Sequence, residues 1–490
     1  MPILKPGHPS LLVIAAPVQW PDPDLENQLA GLHATLADFQ ARMGFGRAMA
    51  APQVGISKRM VVLHLGAAPF ALINPEITWR SEAVFAGWDD CLSVPDCIVR
   101  VQRHASISIR YKDERGRVRN WLRLPCDMAE SLQHELDHLD GILMTERAHG
   151  QQAIRPIADH VALIGAARPQ HRLSLANVVR SASAIAPEFL NSPQYNCEPL
   201  SQALGCEITL KIETANPIRS FKGRGASFCI GEMHRLGDAR PLVCASAGNW
   251  GQAVAYACRS FGRPLVVYAS LHANPLKVER MKALGAEVRQ IGEDFDEAKN
   301  AAQAHALETG SLMLEDGLEA SVSEGHGTIA MELLARGAAY DAVVIPLGNG
   351  GLLNGMARWF KAASPATRVI GVCAAGADSM AQSWRSNRVI QTSAAQTIAD
   401  GIAVRVPILE AVQDMQGLVD EVLLVTDTQI VQAMQLTLHH AGLLLEPSGA
   451  AGLAAIVAHP ALFSGQQIAT VLCGGNITQA DREQYLHRGR

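Results

Sequence analysis

The chain has 490 residues, too many for one compact domain. Its 48% hydrophobic and 18% charged residues exclude a disordered chain. A formal net charge of −5 gives no electrostatic case for a nucleic-acid partner, and no apolar run approaches the roughly 20 residues of a membrane helix.

From the N-terminus, the short apolar run Leu11-Leu12-Val13-Ile14-Ala15-Ala16 reads as a strand and not a signal peptide, because Pro17 and Trp20 follow it. Ten cysteines are scattered along the chain, which suits reduced thiols in a cytoplasm better than a disulfide framework. Most read as small core residues, with Cys91 and Cys473 set apart by their surroundings. The first chemical signal is His134-Glu135-Leu136-Asp137-His138. Histidines at i and i+4 share one helical face, so both rings can reach one metal, with the glutamate placed to handle the proton of a bound water. Several metallohydrolase families share this pattern. A third ligand is needed to leave an open position. Upstream stand Trp88-Asp89-Asp90-Cys91-Leu92-Ser93 and Gly46-Arg47-Ala48-Met49-Ala50-Ala51-Pro52-Gln53-Val54-Gly55.

These three motifs in this order, with the opening Ile3-Leu4-Lys5-Pro6-Gly7-His8-Pro9, resemble peptide deformylase over the whole first domain, residues 1–167. The resemblance implies an α+β domain in which Cys91, His134 and His138 hold a divalent metal, Fe²⁺ or Zn²⁺. It makes Glu135 the general base and acid. Gln53 and the Leu92 amide would stabilise the oxyanion formed when a metal-activated water attacks a formamide carbon. Two positions depart from the family. Asp89-Asp90 stands for Glu-Gly, and Ala48 for a glycine. The extra carboxylate is expected to make the pocket more negative. Further on, residues 154–163 read as the last helix of this domain and residues 165–170 as a linker.

Residues 168–490 alternate β-branched runs, such as Leu265-Val266-Val267-Tyr268 and Ala342-Val343-Val344-Ile345, with Ala/Leu-rich helical runs. Buried parallel strands with helical crossovers read this way, so an α/β doubly wound, two-lobed sheet is expected. Lys222 sits in Arg219-Ser220-Phe221-Lys222-Gly223-Arg224-Gly225, ahead of a helix-compatible run over 226–233. A desolvated lysine at such a corner is what Schiff-base chemistry requires. Ser246, Gly248 and Asn249 precede a helix, where backbone N–H groups can hold a carboxylate and the Asn249 amide a phenolic oxygen. Gly348, Asn349, Gly350, Gly351 and Leu352 follow a strand as a phosphate cradle. Cys473 ends the last strand.

Together these motifs resemble the fold-type-II (tryptophan-synthase-β-like) pyridoxal-phosphate enzymes, in the threonine/serine dehydratase branch. Gly325-His326-Gly327-Thr328, Ala399-Asp400-Gly401 and Glu446-Pro447-Ser448-Gly449-Ala450 carry the same resemblance. It implies that Lys222 binds pyridoxal 5′-phosphate covalently and then takes the Cα proton. Asn249 would contact the ring oxygen, residues 348–352 the phosphate, and Cys473 the ring nitrogen. A thiol is a weak, neutral partner, which favours β-elimination to a 2-oxo acid and ammonia. Trp250 departs from the family's histidine or phenylalanine, and Arg219 is placed to meet an acidic substrate group. Cys373 and Ser379 stand where a structural cation would have acidic ligands, so none is expected. The short stretch after Asn476 leaves no room for an amino-acid-binding regulatory domain, so feedback by isoleucine is not expected. The expected whole is a bifunctional, homodimeric enzyme for an N-formyl or amino-acid small molecule. The alternatives are a pyridoxal-phosphate lyase, β-replacement synthase or racemase carrying a non-catalytic deformylase-like module.

Overall fold

The computed structural model describes residues 1–43, 46–64, 69–121, 124–159, 171–246, 248–335 and 339–486. The chain forms two compact units: Met1–Arg172 with Lys361–Ala366, and Leu173–Phe360 with Thr367–Arg490. The expected linker at 165–170 lies outside the described residues. Among those described, no helix is long and apolar enough to cross a membrane. All ten cysteines are free.

The first unit is α+β. A five-stranded antiparallel sheet runs β1 (Ala48–Ala50), β2 (Met60–Leu63), β3 (Phe70–Arg80), β6 (Ile107–Lys112), β7 (Val118–Trp121). A three-stranded antiparallel sheet holds β4 (Val84–Cys91), β5 (Val94–His104) and β8 (Ile154–Pro156). Helix α1 spans Leu25–Met43, and α2, Cys126–Leu139, carries the two histidines. Every residue of α2 from Met128 to Leu139 is buried. Met128, Ala129, Leu132 and Leu139 pack with Ala50, Val61 and Trp121 in one apolar cluster. Two of the polar residues of α2, Gln133 and Glu130, are tolerated inside because they are paired. Gln133 exchanges two hydrogen bonds with the His104 backbone, both 2.9 Å, and Glu130 meets Arg47. Two local expectations fail. Residues 11–16 are not a strand. Pro9–Leu12 forms a 3₁₀ turn, and only Ala16 bridges to Lys58. Residues 154–159 pair as β8 and then turn, because Ile154 and Arg155 find partners on the edge of β5. Residues 160–163 lie outside the description.

The second unit has two sheets. The larger runs β17 (Glu421–Val425), β16 (Arg368–Ala374), β15 (Ala342–Pro346), β18 (Gln467–Leu472), β10 (Glu207–Ile212), β9 (Gln194–Asn196), and is parallel except at the β9 edge. The smaller is wholly parallel: β13 (Glu287–Gln290), β12 (Leu265–Ala269), β11 (Leu242–Ala245), β14 (Leu312–Met313). β11 and β15 are buried at every residue, as β-branched parallel strands covered on both faces must be. Residues 442–445 form a loop that buries Leu445.

The helix Gly351–Ala363 crosses the helix Ala320–Leu334 at close range. A Cβ on Gly355 would lie 1.8 Å from the Ser323 carbonyl oxygen. Backbone cannot yield as a side chain tip can, so Gly355→Ala should cost at least about 1–3 kcal/mol. A fall in the melting temperature of the purified protein checks this.

Candidate active sites

In the first unit, Cys91 ends β4 at a bulge and faces the histidines of α2. The ligand atoms of Cys91, His134 and His138 lie within 4.8 Å of one another, and all three residues are buried. Cys91 Sγ is 3.2 Å from His138 Nε2. The orientation of His134 has a cause. Its Nδ1 meets Asp89 Oδ2 at 2.9 Å, which turns Nε2 toward the cluster. Asp89 is itself held by Arg103, whose guanidinium spans Asp89 and Asp137, each at 2.6 Å. Burial would raise the Asp89 carboxyl, but Arg103 and His134 prevail and lower it to about 2. Asp89 is therefore a charge-paired orienting group. Asp89→Ala should weaken metal binding by about 10–100-fold, read by competition with a chelator.

Gln53, in the short turn after β1, is fully buried. Its Oε1 accepts from the Ala50 amide at 2.9 Å, and its Nε2 points at Cys91 Sγ (3.7 Å) and Ser93 Oγ (3.3 Å). Leu92 is buried in the turn after Cys91, in the apolar cluster with Leu36, Phe39 and Met49. Burial pushes the Glu135 carboxyl up to about 7, with Glu130 and Asp90 assisting and His134 opposing. Its Oε2 and His138 Nδ1 are buried without a side-chain partner. One thiolate and two imidazoles, with a carboxyl of unspent hydrogen-bonding capacity beside them, fit a divalent metal such as Zn²⁺ or Fe²⁺.

In the second unit, Lys222 opens the helix Lys222–Arg235. That helix is anchored two residues on. Arg224 is fully buried, and its guanidinium makes paired hydrogen bonds of 2.9 and 2.8 Å to Glu213. A buried charge left unpaired would be costly, so this pairing locates the first turn. Lys222 then points into a cleft that Asn249, residues 348–352 and Cys473 also line. Asp316, Gly401, Ile402, Glu446 and Ser448 also line it, with Phe221 and Pro346. Lys222 Nζ meets Asp316 Oδ2 and lies 4.8 Å from the Phe221 ring centroid.

The cradle follows β15 and leads into the helix Gly351–Ala363. Gly350 has φ +91°, where a side chain would be strained, and a Cβ on Gly348 would stand 2.8 Å from the Gly401 oxygen. Asn249 begins the helix Asn249–Ser260. Its Nδ2 donates to Glu446 Oε1, and its Oδ1 accepts from Asn476 at 2.8 Å. Burial raises the Glu446 carboxyl against the pull of Lys277. Burial also pushes the Cys473 thiol up to about 12, so it is neutral at ordinary pH. A lysine amine, a glycine cradle beside a helix start and a neutral thiol in one cleft fit pyridoxal phosphate.

Ser246 and Gly248 stand beside this cleft without lining it. Ser246 Oγ accepts from the Gly248 and Gly251 amides at 3.1 and 2.9 Å and so shapes the turn. Arg219 also does not line the cleft, and Trp250 is buried in the apolar cluster of the smaller sheet. Sequence reasoning missed Asp316, Arg103, Lys277 and the anchoring role of Arg224. Asp316 is 94 residues from Lys222, and no motif links them.

Two family models match the chain. Residues 185–474 match the pyridoxal-phosphate dependent enzymes and residues 1–153 the polypeptide deformylases. Among curated relatives, L-threonine ammonia-lyase of Thermotoga maritima is 34% identical over 59% of this chain and 72% of its own length. The catabolic L-threonine dehydratase TdcB of Staphylococcus aureus is 30% identical over 63% and 90%. Among solved structures, maize serine racemase aligns with a TM-score of 0.59 at 28% identity, over 64% of this chain and 96% of its own. The threonine deaminase of T.th. aligns at 0.58 and 32%, over 62% and 99%. The chain therefore belongs to the pyridoxal-phosphate dependent enzymes of fold type II, as a dehydratase-like domain fused behind an N-terminal deformylase-like domain.

Proposed function

We propose that the chain is a bifunctional enzyme. Its first domain hydrolyses an N-formyl group with Fe²⁺ or Zn²⁺, and its second eliminates water from a hydroxy-amino acid to give an enamine that is hydrolysed to a 2-oxo acid and ammonia. The observation that carries this reading is that each unit keeps a full set of reactive groups: the Cys91, His134 and His138 cluster with Glu135, and Lys222 in its cleft.

In the first domain Cys91, His134 and His138 would hold the metal, which would supply Lewis-acid polarisation and acidify a water. Glu135 takes the proton of the attacking water and delivers it to the departing amine. Gln53 Nε2 and the Leu92 amide receive the charge that builds on the formyl oxygen. In the second domain Lys222, Asn249, Cys473 and residues 348–352 would hold the cofactor, which would supply an electron sink for charge at Cα. Lys222 moves the Cα proton. The start of the helix at Asn249, which lines the cleft, orients the substrate carboxylate. Cys473 offers the ring a neutral partner, which favours prompt loss of the β-substituent.

The two reactions have a chemical order. A formamide nitrogen has a delocalised lone pair and cannot condense with a carbonyl, so deformylation must precede lyase chemistry on the same molecule. The test is to supply N-formyl derivatives of serine, threonine and 3-hydroxyaspartate and follow formate and 2-oxo acid. Formate without 2-oxo acid would sink the sequential reading. Racemisation is the second reading, favoured by the structural similarity to maize serine racemase. Chiral analysis of recovered serine separates the two.

A further inference from the structure

A carboxylate in direct contact with the reactive lysine is the feature of the cleft that the reading above leaves unused. Asp316 lies between β14 and the helix Ala320–Leu334 and is only 8% exposed. Its Oδ2 accepts from Lys222 Nζ, and its Oδ1 has no side-chain partner. Oδ1 is turned toward the cradle, since a Cβ on Gly351 would stand 2.7 Å from it. The cleft's other carboxylate, Glu446, is already engaged by Asn249 and by Lys277 at 3.7 Å. Behind Asp316 stands His326, fully buried, its ring centroid 4.7 Å from that of Phe221. Burial drives His326 down to about 4, so it is neutral, and the hydrogen-bond partner of Asp316 in the cleft is Lys222.

Loss of a β-hydroxyl needs two proton transfers, one off Cα and one onto the departing oxygen, because hydroxide is a poor leaving group. Lys222 accounts for the first. We propose that Asp316 performs the second, as a proton relay between Lys222 and the leaving hydroxyl. This rests on the lyase reading of the same cleft. The steps balance without another reagent. The Lys222 amine takes the Cα proton and becomes an ammonium. The ammonium passes a proton to Asp316 across their hydrogen bond. The Cβ–O bond breaks with its electron pair on oxygen, and the Asp316 proton completes a water molecule. Lys222 and Asp316 return as neutral amine and carboxylate.

Asp316→Asn keeps shape and burial but cannot carry the proton. Serine or threonine and β-chloroalanine are the probe pair, because chloride departs without a proton. Asp316→Asn should lower 2-oxo acid release from the hydroxy substrate about 100-fold. Release from β-chloroalanine should stay within about 3-fold, because it needs no transfer from this group. Exchange of the Cα hydrogen with deuterated water should survive in recovered serine. The apoprotein's affinity for pyridoxal phosphate, by absorbance titration, should also stay within about 3-fold, since the cradle is untouched. An equal fall on both substrates, or a large loss of cofactor affinity, would assign Asp316 a structural role and overturn the relay. Undiminished turnover of the hydroxy substrate would overturn it too. A wild-type protein that eliminates from neither hydroxy substrate but binds the cofactor would defeat the lyase reading itself, and the relay with it.

Discussion

Lys222→Ala should lower release of 2-oxo acid and ammonia by about 10⁴-fold or more, and leave formate release within about 2-fold of the unsubstituted protein. The loss is large because one amine has two duties: it holds the cofactor and moves the Cα proton. The fold should survive. Arg224 keeps its paired hydrogen bonds to Glu213, and the apolar residues Ala226, Phe228 and Ile230 of the same helix stay in their cluster. Asp316 loses its cation, and a buried acceptor without a partner costs about 1–3 kcal/mol. A lower melting temperature is therefore expected alongside the loss of turnover. Two measurements separate chemistry from folding. The visible absorbance band of the lysine-bound cofactor should be absent. Formate release from an N-formyl substrate, made by the other domain of the same molecule, should persist. If 2-oxo acid release survives without Lys222, the assignment of the cleft fails.

The parts of both sites that were legible in the sequence are those written in short local patterns. His134 and His138 are four residues apart on one helix, and their shared face follows from helical geometry alone. The cradle over 348–352 follows a β-branched run, so its place after β15 could be read directly. What stayed hidden depends on tertiary approach. Arg103 reaches Asp89 across 14 residues and Asp137 across 34, and nothing in its own surroundings marks it as the group that neutralises Asp89. Asp316 comes from a turn with no glycine cradle or histidine pattern of its own, and acquires meaning only beside Lys222 Nζ. The failed strand at residues 11–16 has a related cause. Its apolar residues matched a strand in composition, but only Ala16 forms a β-bridge, so the ladder never forms. Residues 154–159 err the other way: an Ile and Arg run compatible with a helix pairs with the free edge of β5 instead.

The fused arrangement is tested most directly by Glu135→Gln. This substitution keeps the shape of the side chain and removes its ability to take a proton, so formate release should fall by about 10²–10⁴-fold. The cluster of Cys91, His134 and His138 is left intact, so metal content should not change. The effect on the second reaction depends on the substrate offered, and that dependence is the informative part. With a free hydroxy-amino acid, 2-oxo acid should form at the unaltered rate, because Lys222 and its cleft lie in the other unit of the chain. With the N-formyl derivative of the same amino acid, 2-oxo acid should fall in proportion to formate. The formamide nitrogen cannot condense with the cofactor's carbonyl until the formyl group is gone. Equal 2-oxo acid from the formylated substrate with and without Glu135 would mean that the two reactions are not linked in that order. Normal 2-oxo acid from the free amino acid, with no formate from any N-formyl substrate even in the unsubstituted protein, would leave the first domain as a binding module on a lyase. Full metal occupancy with retained formate release is the pattern expected if the first domain is a working hydrolase that prepares the amine for Lys222.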